Sequence, residues 1–227
     1  MSAVGWSPLM LSGLLAYVLP SGVLLHQMAV ERSAQLPASF EVTGTLTLTG
    51  EEGRKLAASL GLPATDEPQP VPAELGFGPG RCTLTVRAPQ RAAITNDRGA
   101  LSPVGSGPAV WLVRLGCLPF LFRGEGGEAA FETLLRKSGG RFEDPGLTLA
   151  EGEVAYVLGA GEDGSGKVGL VVKKRGLQPL RTWEDESGIR VSVDFRGYRQ
   201  IFREGGFPTV IELRTGGALV ATFVATP

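Results

Sequence analysis

The sequence predicts an α+β protein in which one antiparallel sheet curls around a pair of helices. Three observations lead there. Gly (33) and Pro (16) are abundant among the 227 residues, which suits short strands joined by tight turns better than long helices. From Glu153 to the end, strand-like strings succeed one another: EVAYVLGA, KVGLVVKK, LQPLRTWED, IRVSVDFRGYRQI, FPTVIELRT and ALVATFVAT. Turn signals separate them at GEDGSG, KRG, ESG, REGG and TGG, the pattern of consecutive hairpins. Ahead of this run lie two helix patterns, and ahead of those a helix and three strands.

In chain order, the apolar run Leu9 to Leu19 is bounded by Pro8 and Pro20 and precedes the first charge, Glu31. It reads as the h-region of an export signal, although no Lys or Arg n-region leads it and no A-x-A cleavage site comes after it. Extended to Met28 it reaches roughly the 20 residues that span a bilayer, so an uncleaved anchor is the second reading, and a buried helix the third. Ser21 can cap a short helix carrying Val23, Leu24 and Met28 and ending before Pro37. In FEVTGTLTL, Phe40, Val42, Leu46 and Leu48 alternate with Glu41, Thr43, Thr45 and Thr47, the period of a half-buried strand. One helical turn is expected around Arg54 to Leu60, then a Pro-rich surface loop over 63–80. Two more strands run from Arg81 to Val86 and from about Arg91 to Asn96, with Ala88-Pro89-Gln90 as the turn. PAVWLVRLGCLPFLF, Pro108 to Phe122, is apolar on nearly every side, the mark of a helix buried in protein or facing a cavity. GEAAFETLLRKSGG then sets Ala130, Phe131, Leu134 and Leu135 on one stripe and stops at Gly139-Gly140.

Composition excludes several functions. With 22 Lys and Arg against 23 Asp and Glu, the net charge of −1 offers no field for nucleic acid. One histidine, His26, and two cysteines, Cys82 and Cys117, do not make a zinc site, and no metal or other cofactor is expected. In an exported protein the cysteines either form one disulfide, closing a loop of about 35 residues, or remain as two buried thiols. His26 sits in the apolar N-terminal helix, an awkward residue for a Ser-His-Asp or Cys-His arrangement to recruit, and Asp185, Glu186 and Asp194 read as turn or solvated-face charges. The expectation is a protein that is not an enzyme.

GAGEDGSGKV, Gly159 to Val168, imitates both G-x-G-x-x-G and the start of a P-loop. A phosphate site needs a helix after the glycines, because the amides of the helix N-terminus hold the phosphates. The next segment here is KVGLVVKK, a strand, and Val168 stands where a P-loop has a hydroxyl. The glycines therefore reverse the chain, Gly161 to Gly166 form a hairpin tip, and no nucleotide is expected. The apolar surplus of Trp111, Leu112, Leu115, Leu118, Phe120, Leu121 and Phe122 leaves two readings, a solid core or a cavity suited to an acyl chain.

Element order and local strings resemble the periplasmic lipoprotein-carrier (LolA-like) superfamily. The matching pieces are SGVLLHQMAVERSAQLPASFEVTGTLTL, EVAYVLGA, KVGLVVKKRGLQPLRTWE and VDFRGYRQIFREGGFPTVIELRTGG. The resemblance implies an incomplete β-barrel, a strongly curved antiparallel sheet with an N-terminal helix and a mid-chain helical lid over a hydrophobic cavity. The division it implies is 1–20 as signal peptide or membrane anchor and 21–227 as a single domain, with the lid at 108–138. Trp111, Leu115, Leu118, Phe131 and Leu135 would be lid residues. Val42, Leu46, Leu84, Val86, Tyr156, Leu158, Leu170, Val172 and Trp183 would line the sheet. Arg114 is the charge inside the lid helix. The implied role is binding or transport of a lipid or of lipoprotein acyl chains in the bacterial envelope, by a monomer that is periplasmic or anchored in the inner membrane facing the periplasm. The alternative is a scaffold or protein-interaction module with a filled core and an envelope protein as its partner.

Overall fold

The computed structural model describes residues 18–87, 92–97, 108–123, 127–137, 141–159, 167–202 and 205–226. The start of the apolar N-terminal segment, the 88–90 turn, the 161–166 hairpin tip and the side chain of Leu135 lie outside the described residues. The chain opens with α1 (Ser21–Gln35), whose N-cap is Pro20 rather than Ser21 and whose stripe Leu24, Leu25 and Met28 is buried. Then come β1 (Phe40–Leu48), α2 (Gly50–Ser59), β2 (Gln69–Gly78), β3 (Arg81–Val86) and β4 (Ala92–Asp97). The helices α3 (Pro108–Leu121) and α4 (Gly127–Lys137) lead into β5 (Arg141–Ala150), β6 (Glu153–Gly159), β7 (Val168–Lys173), β8 (Pro179–Glu186), β9 (Ile189–Phe202), β10 (Gly205–Thr215) and β11 (Ala218–Ala225). Among the described residues no helix is long and apolar enough to cross a membrane.

The eleven strands form one sheet in the order β4-β3-β2-β1-β11-β10-β9-β8-β7-β6-β5. Two meanders are joined where β1 pairs antiparallel with β11, Leu46 opposite Phe223. The sheet is open, and its edges are β4 and β5. The chain leaves one edge strand and re-enters at the other, so α3 and α4 must cross the gap between them; α3 packs on β4 and α4 on β5. This connection places the helices against the concave face.

Two strands go beyond those the sequence announces. Residues 69–78 of the expected Pro-rich loop are a strand, β2, paired with β1 along its whole length. The prolines are tolerated because the Pro72 carbonyl accepts from the Arg87 N–H on the β3 side, so the missing N–H falls away from the β1 ladder, near the end of β3. β5 contains Asp-Pro-Gly, which reads as a turn; in the fold it is an edge strand whose register with β6 shifts between Arg141 and Gly146, a place where proline is allowed. α2 is also longer than the expected single turn. Its Gly53 approaches β1 and β11 so closely that a Cβ would lie 2.9 Å from the Val220 carbonyl oxygen.

Candidate functional site

Strand alternation fixes which side chains face the helices. Val42 and Leu46 of β1, Leu84 and Val86 of β3, Tyr156 and Leu158 of β6, and Leu170 and Val172 of β7 are each no more than 3% exposed, and all belong to one core. Leu112, Val113, Leu115, Leu118, Phe120 and Leu121 of α3 are buried in the same core. The expected lid is therefore inserted into the concave face rather than laid over its rim. At ~1.5–3 kcal/mol per buried side chain, this insertion is a major part of the fold's stability. Phe120 joins an aromatic cluster, with its ring centroid 6.0 Å from that of Phe77, 5.6 Å from Phe195 and 4.9 Å from Phe207. Phe131 of α4 stacks on Phe122 just after α3, at 4.9 Å.

One expected lining residue is elsewhere. Thr182 and Glu184 of β8 face α3, so Trp183 between them points to the convex face. There it covers Gly169, its cross-strand partner, where a Cβ would overlap the indole ring. β8 has one extra residue, Leu180, between Arg181 opposite Val171 and Pro179 opposite Val172, so Pro179 and Trp183, four positions apart, fall on opposite faces of the sheet.

Cys117 of α3 is bonded to Cys82 of β3, with 6.2 Å between their Cα atoms. On the opposite flank α3 meets β8 through polar groups. Arg114 Nη2 lies 2.5 Å from Glu184 Oε2 and 3.9 Å from Glu186 Oε2, and the Trp111 indole N–H donates to Glu186. Thr182, fully buried, donates its hydroxyl to the Leu115 carbonyl at 2.9 Å. Pro119 lies inside the helix and has no N–H to bond that carbonyl, so Thr182 supplies the missing donor. Burial raises the Glu184 carboxyl above the ordinary carboxylate range, and the charge of Glu186 adds to this while Arg114 opposes it.

A buried cation is Arg32 of α1, 1% exposed. It stands four and seven positions after Met28 and Leu25 on the same helical stripe, the signal by which the sequence shows it facing inward. Its Nη2 donates to the Leu177 carbonyl at 2.5 Å in the β7–β8 turn, and burial pulls its pKa below the usual guanidinium value. The carboxylates expected to be solvated are not all so. Asp194 is 4% exposed on the convex face, against Arg181 and Arg214, while Asp185 pairs with the exposed Arg190. Among the described residues no group of three or more His, Cys, Asp or Glu is arranged to hold a metal. Depressions of about 540 Å³ beside β1–β3 and about 300 Å³ beside β5 and β7–β9 are partly polar and include Glu74, Arg81, Arg181 and Asp194.

No protein-family model matches the sequence, and no curated protein matches it. Solved structures do match. The crystal structure of a LolA superfamily protein, NE2245 from Nitrosomonas europaea, is 14% identical, with 92% of each chain covered and a TM-score of 0.52. A domain from Vibrio parahaemolyticus named for outer membrane lipoprotein sorting is 13% identical, with 88% of this chain and 89% of that one covered and a TM-score of 0.49. At such identity the likeness is one of architecture, and the chain has the LolA-like fold.

Proposed function

We propose that this chain, built on the LolA-like fold, binds a hydrophobic group, a lipid or the acyl chains of a lipidated protein, in the bacterial cell envelope and without catalysis. The observation that carries this reading is α3. It is apolar on nearly all sides and sits in one continuous apolar concave face, yet its contacts with β8 include Arg114, Trp111 and the Leu115 carbonyl. An acyl chain gains about 0.8 kcal/mol per buried CH₂, so a long chain can replace much of the apolar contact that a displaced helix gives up. The Cys82–Cys117 bond suits an oxidising compartment, which supports the envelope. Native mass spectrometry and lipid extraction of the purified protein, with displacement of a fluorescent fatty acid, test the reading. Bound lipid and saturable displacement are expected; a protein that carries no lipid and takes up no fatty acid overturns it.

The second reading is a protein-interaction module with a permanently filled core. The complete burial of the concave residues beneath a disulfide-tethered α3 favours it. It predicts no fatty-acid uptake in either redox state.

A further inference from the structure

The open sheet has two edges, and they are guarded differently. β4 has α3 packed on it and ends in Asn96 and Asp97. On β5, Pro145 and the register shift between Arg141 and Gly146 guard the first half. The second half, Gly146–Ala150, contains neither proline nor charge and runs in unbroken register with β6. Leu147 and Leu149 lie opposite Tyr156 and Val154, on the concave side, yet they are 43% and 76% exposed, and Val154 is 45% exposed. α1 and α4, which pack against β5, leave them uncovered. The main chain is as open as the side chains. Glu151 and Gly152, both at positive φ, make a two-residue hairpin turn, so Ala150 and Glu153 form a hydrogen-bonded pair. Leu149 and Val154 are then a non-hydrogen-bonded pair, and the Val154 carbonyl accordingly turns to β7, where it accepts from the Lys174 N–H at 3.0 Å. By the same alternation the N–H and C=O groups of Leu147 and Leu149 point out of the sheet edge. Among the described residues no strand lies beyond them.

We propose that a second copy of this chain occupies this edge, β5 pairing antiparallel with β5 about a two-fold axis at Thr148. One register alone satisfies the outward groups. Centred on Thr148, it sets Leu147 opposite Leu149 of the partner subunit and Leu149 opposite Leu147 of the partner subunit, and each such pair exchanges two hydrogen bonds. Centred on Leu147, it would set Leu149 against a proline, Pro145, which has no N–H to give. Centred on Leu149, it would set Leu147 against Glu151, which is in the turn. A centre between two residues would place outward groups against inward ones. In the Thr148 register the paired stretches carry no charge, so nothing repels, and the exposed leucines of both copies cover one another on the concave side. The interface is isologous and closes at a dimer, in place of the monomer that the resemblance implies. It joins the two sheets into one with both concave faces on the same side, whichever reading of those faces holds.

Sedimentation equilibrium of the oxidised full chain is expected to show a reversible monomer–dimer equilibrium. Amides of Leu147 and Leu149 are expected to exchange more slowly as the protein is concentrated, while those of Gly146 and Ala150, already turned to β6, change less. Leu149→Lys puts an ammonium on the edge at a side chain that is already largely exposed. The variant is expected to keep the wild-type urea midpoint while dimerisation weakens at least about tenfold. The register has its own test. The two Thr148 residues form a non-hydrogen-bonded pair with Cα atoms about 4.5 Å apart, within reach of a disulfide. Thr148→Cys is therefore expected to give a covalent dimer on mild oxidation. Ala150→Cys, on the same face but about 13 Å from its counterpart, is expected to give none. A chain that stays monomeric at every concentration measured overturns the proposal, including one that instead binds phosphatidylglycerol vesicles or a strand of another protein through Leu149. A dimer unaffected by Leu149→Lys, or one that cross-links at Ala150→Cys and not at Thr148→Cys, overturns the β5 interface.

Discussion

The Thr182 hydroxyl donates a 2.9 Å hydrogen bond to the Leu115 carbonyl, the acceptor that Pro119 deprives of its helical donor. A break within α3 is thus repaired by a strand 67 positions away in sequence. Thr182→Val keeps the shape and removes the donor, leaving a buried carbonyl unpaired at a cost of about 1–3 kcal/mol, whereas Thr182→Ser keeps the bond. In a Pro119→Ala background the helix regains its own N–H, and the cost of Thr182→Val is expected to fall to about half or less. Urea unfolding of the four variants closes the cycle; an equal cost in both backgrounds contradicts the repair.

The disulfide joins residues 35 positions apart. In the chain-entropy model a loop of that length stabilises by about 3–4 kcal/mol. Cys82→Ser/Cys117→Ser is expected to lose that much in denaturant unfolding, and non-reducing mass spectrometry of the wild type should find no free thiol. Two free thiols would remove the bond.

The contact of α3 with β8 carries a pH dependence through Glu184. Burial, reinforced by Glu186, raises its pKa above the ordinary 4.5, so the native state holds the proton more tightly than the unfolded chain does. Stability from this group is full below that value and is lost as pH rises through the raised native value. Glutamine imitates the protonated form, so the advantage of Glu184→Gln over wild type is expected to grow with pH across that window and then level off. Urea midpoints from about pH 4 to 8 measure it, and a wild type that gains on the variant with rising pH reverses the assignment.

Trp183 and Gly169 form a cross-strand pair on the convex face, the side away from α3. Gly169→Ala places a methyl where the indole lies, and overpacking of this kind costs about 1–3 kcal/mol. It is expected to shift tryptophan fluorescence and leave the affinity for a fluorescent fatty acid unchanged, as is Trp183→Phe. Affinity lost with either variant would return Trp183 to the binding face.

Fold and site were legible to different depths. The meander from Glu153 onward was readable because strands buried on one face alternate and the turns between them carry glycine. β2 and β5 were hidden because proline reads as a breaker until one knows that its missing N–H points away from a ladder or lies at a sheet edge. The lining positions from Val42 to Val172 reach the core because their residue types demand burial. Trp183 does not, because the bulge at Leu180 changes which face the succeeding residues occupy, and a bulge depends on the partner strand.

The sequence by itself determined the class of the protein: most of its strands, the all-round apolar α3, and a strand rather than a helix after the glycines that begin at Gly159. Only the tertiary structure decided that α3 lies inside the sheet, that Cys82 meets Cys117, and that Thr182, Glu184 and Glu186 meet α3. The physical reason is range. Periodicity and turn chemistry act over a few residues, whereas these contacts bring together strands and a helix far apart in the chain, and their geometry exists only once the two meanders have joined at β1 and β11.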